Sequence, residues 1–290
     1  MKLFEALINS NVYIALAAVL LTVATQLQLG MEPQWHPYLF IILFATLFEY
    51  NIHRLVTIIT NKEALNTDKY KWVNDNLPTF YWLVGFSVVG FMIAVFLAKR
   101  EVLLTLAPIA AITLFYSLPI FGNRQSIFRL REIPFLKIFL IAFVWSASTT
   151  LLPIIQSGHA FNWGHVVAML AERFFFVFAI TIPFDIRDME SDKQAGLKTI
   201  PLLLSENKSW TIAYVALLLF WLISLVHYQP LNYWFALVAL SISALSTFIF
   251  LKSEKIRRLP LYHYGILDGT MLLQGLLVLL FYYIQTMFWV

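Results

Sequence analysis

Hydrophobic residues make up 60% of the 290 positions and charged residues only 12%, with a mean hydropathy of +0.77. A soluble surface takes about 25% charged residues, so a soluble enzyme, a disordered chain and a nucleic-acid module are excluded. With no cysteine, so are a disulfide framework, a zinc-thiolate centre and thiol catalysis; the net charge of +4 matters through its placement.

A bilayer core takes roughly 20 apolar residues per helix. Breaks at Pro, Gly and charge clusters predict nine helices, near 9–29, 37–60, 78–98, 102–121, 134–156, 164–184, 209–228, 231–251 and 262–288. The first follows the uncharged stretch 6–31. Ala24-Thr25-Gln26 is a poor cleavage site, so this helix reads as a retained span and not a signal peptide. Residues 209–251 are also uncharged and are divided by His227-Tyr228-Gln229-Pro230. With the N-terminus on side one and loops alternating, seventeen Lys and Arg fall on side one. Only Lys99 and Arg100 fall on side two, and Arg173 lies within a span. This bias predicts a cytoplasmic N-terminus and an outward C-terminus.

Ionisable groups inside spans are costly and mark functional candidates. Here they are Glu49, His53 and Arg54 in the second helix, Lys137 in the fifth, Glu172 and Arg173 in the sixth, and Asp268 in the ninth. Snorkelling to the interface is the plainer reading for those near helix ends. Arg173 lies twelve residues before Asp185, about 18 Å of helix, and reads as a structural pairing residue with Asp268 as one candidate partner. Asn9 and Asn11 are weak candidates for lining an acceptor pocket.

After the sixth helix come Asp185, Asp188 and Asp192, at i, i+3 and i+7. On an unbroken helix they fall within an arc of about 60°, where three carboxylates repel one another. A divalent cation resolves that repulsion, and hard oxygen ligands suit Mg2+ shared with water and phosphate. Arg187, Lys193 and Lys198 surround the cluster with positive charge, as phosphate recognition needs. A solvated charged loop is the alternative reading of the same residues.

The stretch D-I-R-D-x-x-x-D-x-x-x-G-x-x-T-x-P, Asp185 to Pro201, resembles the second Asp-rich motif of the UbiA superfamily of intramembrane prenyltransferases. Tyr116-Ser117-Leu118-Pro119, followed by Arg131, Pro134 and Lys137, resembles that family's Tyr-Ser-x-Pro and basic segment. The resemblance covers essentially the whole chain. It implies one all-α transmembrane prenyltransferase-like domain over 1–290, with a nine-helix bundle and a cavity opening to the cytoplasm. It also implies Mg2+-dependent transfer of an isoprenyl chain from a prenyl diphosphate to an aromatic or lipid acceptor, with two Mg2+ ions bridging the diphosphate to two Asp-rich motifs. Asp185, Asp188 and Asp192 would be the metal ligands, and Tyr116, Arg131 and Lys137 would line the diphosphate.

The family's first motif, N-D-x-x-D-x-x-x-D, is absent. In the best register, from Asn51, its Asp positions fall on Ile52, Leu55 and Ile59. A guanidinium grips phosphate oxygens with two parallel bonds, and Asn51 and Arg54 share a helix face. They are therefore the expected substitutes on the diphosphate, unless Arg54 only balances a nearby acid. The missing motif also leaves open a noncatalytic relative that binds or moves an isoprenoid or other anionic lipid.

Overall fold

The computed structural model describes residues 2–60, 68–117, 133, 135–158 and 162–288, and among them only helices are found. The chain opens with α1 (Lys2–Asn9) and α2 (Val12–Gln28), which meet at 76°. The bend falls at Asn11, whose φ of 61° is left-handed, a conformation Asn tolerates better than most residues. The next elements are α3 (Pro37–Thr60), α4 (Asp68–Asp75), α5 (Leu77–Leu97) and α6 (Arg100–Ser117). Beyond them lie α7 (Leu136–Ser157), α8 (Trp163–Arg187), α9 (Met189–Gln194) and α10 (Ile200–Leu204). The chain closes with α11 (Glu206–Tyr228), α12 (Trp234–Lys252), α13 (Glu254–Arg257), a π-helical turn (Tyr262–Leu267) and α14 (Asp268–Phe288).

Local chemistry sets several of these ends. Pro78 stands in the first turn of α5, where its missing N–H costs nothing. Gly158 closes α7 at φ 68°, and the Asn162 side chain caps α8 by accepting from the Gly164 N–H at 2.7 Å. Helix α9 ends at Gly196, φ 71°, with the Leu197 N–H donating to the Asp192 carbonyl at 2.9 Å. A left-handed closure of this kind favours glycine.

Between apolar helices in lipid, close packing replaces the hydrophobic drive, and small residues let backbones approach. Helix α8 is central, packed between α7 and α11, while α2 lies against α14 and α3. A Cβ on Gly275 would come within 2.9 Å of the Leu20 backbone, so the α2–α14 crossing needs glycine there. The core joins α2, α7, α8, α11, α12 and α14 through residues such as Leu21, Phe176, Phe220 and Tyr228. Outward-facing Trp82 and Phe96 of α5 are exposed to the surroundings, as expected of a helix facing lipid.

A long helix stands at each of the nine expected positions. Among the described residues, seven are long and apolar enough to cross a membrane, or eight when the bent α1–α2 pair is one span. This corrects the count of nine. The remaining helix, α6, starts with Arg100 and Glu101, and the last residues of the expected span 102–121 lie outside the described ones. The protein is an integral, multi-pass, all-α membrane protein.

Candidate functional site

A cavity of about 800 Å³ runs between α2, α3, α6, α7 and α8. Helix α7 lines it with Lys137, Leu140, Ile141, Val144, Ser148 and Thr149, a spacing that sets one helix face toward the cavity. Twelve residues separate Lys137 from Thr149, so the cavity extends about 18 Å along α7. Its interior is apolar, with Ile41, Leu106, Trp145 and Val177. The charged side chains gather at one end: Glu49, Arg54, Lys137, Asp185, Arg187, Asp188 and Asp268, with His53 among them.

The acidic side of this mouth is built by three elements. Asp185, near the end of α8, is only 1% exposed, and Asp192 of α9 is also buried. Lys137 rises from the first turn of α7. The Phe135 N–H donates to the Lys198 carbonyl at 3.1 Å, which ties the start of α7 to the loop after α9. The ammonium lies 2.8 Å from Asp185 Oδ1 and 3.1 Å from Asp192 Oδ2. It donates a hydrogen bond to Asp192. Apart from that ammonium, both Asp185 oxygens are buried without a hydrogen-bond partner. Two buried carboxylates thus share one positive charge. An anion left without hydrogen bonds in a buried place is costly, and a hard cation on these oxygens would relieve that cost. In donor chemistry Asp185 and Asp192 therefore fit a divalent metal.

Asp188, of the expected set of three, lines the cavity beside Asp185, whereas Asp192 does not, and it is not on the Lys137 ammonium. Helix α8 ends at Arg187 and Asp188 is its C-cap, so the single face assumed for the three carboxylates is interrupted there. Asp188 is held instead by its neighbour, with Arg187 Nε donating to Oδ1 at 2.7 Å and a terminal nitrogen donating to Oδ2 at 2.8 Å. Among the described residues no group of three or more acidic or histidine side chains is placed to hold a metal ion. Lys193 and Lys198 point outward and are exposed, and neither lines the cavity. A long ammonium gains its hydration there.

The opposite side of the mouth comes from α3 and the π-helical turn. Arg54 lines the cavity and is 5% exposed. One terminal nitrogen donates to the Asn9 carbonyl, and its guanidinium carbon lies 6.0 Å from the centre of the Tyr264 ring. Arg187 lies over the same ring at 4.8 Å. The Tyr13 hydroxyl donates to the Gly265 carbonyl at 3.1 Å, bracing the turn that carries Tyr264. Asn51, expected beside Arg54 on the diphosphate, is placed differently. It is fully buried and does not line the cavity. Its oxygen accepts from Asn11 Nδ2 at 2.9 Å, and its own Nδ2 donates to the Ser10 and Leu47 carbonyls. With its amide fully engaged, Asn51 fastens the α1–α2 bend. Of the two weaker candidates, Asn11 does line the cavity. Arg131 and the side chain of Tyr116 lie outside the described residues.

Tyr264 carries no sequence signal: in a chain with 17% aromatic residues, one tyrosine in a span looks like any other. The partners of Arg173 were equally hidden. Asp268 lies at the mouth, while Arg173 donates to the Leu21 carbonyl, to the Thr25 and Thr149 hydroxyls and to Gln28 Oε1, at 3.2–3.4 Å.

The UbiA prenyltransferase family model matches residues 78–262, well over half of the chain, and the chain belongs to that family. The fold agrees with solved structures. An apo UbiA homolog from Aeropyrum pernix K1 aligns with a TM-score of 0.61 at 15% identity, covering 96% of this chain and 98% of that one. A UbiA homolog from Archaeoglobus fulgidus bound to DMAPP and Mg2+ aligns at 0.59 and 16% identity, covering 94% and 98%. The same protein bound to GPP and Mg2+ aligns at 0.58 and 16%, with the same coverage. At such identities the likeness is one of fold. No curated protein matches in sequence.

Proposed function

We propose that this protein is a Mg2+-dependent membrane prenyltransferase that moves an isoprenyl chain from a prenyl diphosphate to a hydrophobic or aromatic acceptor. One observation carries the reading: Asp185, a buried carboxylate paired with the Lys137 ammonium, stands at the charged mouth of an apolar cavity of about 800 Å³, with Asp192 on the same ammonium behind it. The family and the DMAPP-, GPP- and Mg2+-bound A. fulgidus homolog support it. Asp185 and Asp192 would hold the metal, with Asp188 joining if Arg187 lets it go. When bound, the metal supplies positive charge against the departing diphosphate. Lys137 offsets part of the charge of the carboxylate pair, and with a metal on that pair it would turn to a phosphate oxygen. The apolar walls take up the isoprenyl chain and exclude water from an allylic cation. Trp145, Phe48 and Phe91 line the cavity and offer ring faces to that cation. The side-one bias of Lys and Arg supports a cytoplasmic mouth and N-terminus. Residues 1–290 act as one domain.

The test is thermal stability of the purified protein with GPP, with and without Mg2+, followed by pyrophosphate release with a panel of acceptors. The expected result is a Mg2+-dependent rise in stability that Asp185→Asn abolishes, followed by release. No Mg2+-dependent rise in the wild type overturns the metal site. A second reading has its own support, because each of the three aspartates already has a cation from within, Lys137 or Arg187. A noncatalytic isoprenoid or anionic-lipid binder would bind GPP and release no pyrophosphate with any acceptor.

A further inference from the structure

The family resemblance implies a second metal held by carboxylates at the end of α3, and the residues there do not fit one. The three motif positions hold Ile52, Leu55 and Ile59. The other carboxylates lining the mouth, Glu49 and Asp268, do not stand at the motif positions. What stands there is cationic. Arg54 and Arg187 reach the mouth from α3 and α8, and both guanidiniums lie over one ring, that of Tyr264, at 6.0 and 4.8 Å. The Phe184 ring lies 5.2 Å from Arg187 on its other aromatic contact.

From this we infer that Arg54, Arg187 and Tyr264 form a clamp that replaces the second metal, so that the diphosphate is held with a single divalent cation. The inference rests on the reading above of the mouth as a prenyl-diphosphate site. The kinds of cation favour it. A diphosphate ester carries about three negative charges near neutral pH. The side-chain cations lining the mouth are Lys137, Arg54 and Arg187, and Glu49, Asp188 and Asp268 line it too; with a divalent cation on Asp185 and Asp192, the two guanidiniums are the forked donors left for the phosphate oxygens. Geometry favours it as well. A guanidinium stacked on an aromatic face keeps its N–H groups in the ring plane directed outward, and within about 6 Å the ring attracts it. A shared ring holds two like-charged forks at set positions, which free arginines would not keep. The ring itself is fixed by an unusual backbone. Tyr264 belongs to the π-helical turn Tyr262–Leu267, a form that recurs at functional positions, and Tyr13 ties that turn to α2. Arg187 serves Asp188 while no ligand is present and moves one fork to the phosphate when the ligand arrives. Tyr264 is a positioning residue and touches no reacting atom.

The experiment counts cations. Purified wild-type protein is saturated with inorganic pyrophosphate and titrated with Mn2+ in place of Mg2+, with bound Mn2+ followed by electron paramagnetic resonance. The result expected is one bound Mn2+ per protein with no metal–metal coupling; two coupled ions overturn the clamp. In parallel, pyrophosphate affinity in the presence of Mg2+ is measured on variants. Tyr264→Leu should weaken it roughly three- to tenfold, and Tyr264→Phe, which keeps the ring face, should bind within about twofold of wild type. Arg54→Met and the double variant Arg187→Met/Asp188→Asn should each weaken it about 10- to 100-fold, leaving one metal bound. Tyr264→Leu binding as tightly as wild type overturns the role of the ring. Where Tyr264→Leu fails to fold, the metal count on wild type decides alone. Failure of the underlying reading looks different: divalent cations then bring no gain in pyrophosphate affinity to the wild type.

Discussion

Helix α8 carries two buried carboxylates thirteen residues apart, about 20 Å along its axis, and they are treated in opposite ways. Glu172 is surrounded by partners. The Tyr228 hydroxyl donates to Oε1 at 2.7 Å and Gln28 Nε2 does so at 3.2 Å, while Ser224 Oγ and His227 Nδ1 lie 3.4 Å from Oε2. Gln28 also accepts from Arg173 and so joins the acid to its neighbouring cation. Asp185 has an ammonium beside it and, apart from that, no hydrogen-bond partner on either oxygen. A buried ionic network that is fully connected holds helices together. A buried carboxylate left half-served is tolerated where a ligand completes it, which is why the mouth and not the Glu172 network is the candidate site.

The sharpest way to break this comparison is to remove Arg173. If the Glu172 network is structural, Arg173→Met leaves the acid and four acceptors around α2 and α7 unbalanced. We expect a loss of about 3–5 kcal/mol in denaturation of the detergent-solubilised protein. Glu172→Gln/Arg173→Met should recover part of it, and pyrophosphate affinity of the folded fraction should stay unchanged. A folded Arg173→Met protein of wild-type stability and altered affinity would move the network into the site.

Lys137→Met tests the other pole. Without its ammonium, Asp185 and Asp192 face each other across the cleft, and the metal-free protein should lose about 2 kcal/mol. Mg2+ should then restore more stability than it adds to the wild type, since a ligand that binds only the folded state stabilises by mass action. Equal gains from Mg2+ in both proteins would show that the lysine and the cation do not compete.

The sequence made these two poles unequally legible. Uncharged runs placed the nine long helices, because the absence of charge over some 20 residues has few other causes. The α1–α2 bend was hidden, since neither Pro nor Gly stands between Leu7 and Val12 and the turn rests on Asn11 in a left-handed conformation. The acidic cluster stood out by its spacing. Its division into a buried pair and an Arg-bound Asp188 did not, because a periodicity argument assumes the helix continues and α8 stops at Arg187. Asn51 looked like a ligand by register with a motif, whereas its partner Asn11 lies forty residues away, beyond any local pattern. Asn51→Ala should accordingly cost about 1–2 kcal/mol by leaving the Ser10 carbonyl and Asn11 without partners. It should leave pyrophosphate affinity within about twofold, read on the same samples.

The smallest expected change is the most telling. Replacing an acid by its amide keeps the shape and removes the charge, so Glu172→Gln and Asp185→Asn are the same substitution in two settings on one helix. At Glu172 the amide nitrogen would face the Tyr228 hydroxyl or the Gln28 amide, donors that cannot accept it without reorganising, and Arg173 would lose its counter-charge. A buried cation without its partner is costly. At Asp185 no hydrogen bond beyond the Lys137 contact exists to be lost, and a buried anion with poor solvation is removed. Lys137 keeps Asp192. Metal-free Asp185→Asn should therefore stay within about 1 kcal/mol of wild type, or exceed it, while Glu172→Gln is clearly less stable. Denaturation midpoints of the two variants without divalent cations check this side by side. If Asp185→Asn proves as costly as Glu172→Gln, Asp185 is a structural anchor like its neighbour up the helix, and the contrast that assigns the site to the mouth fails.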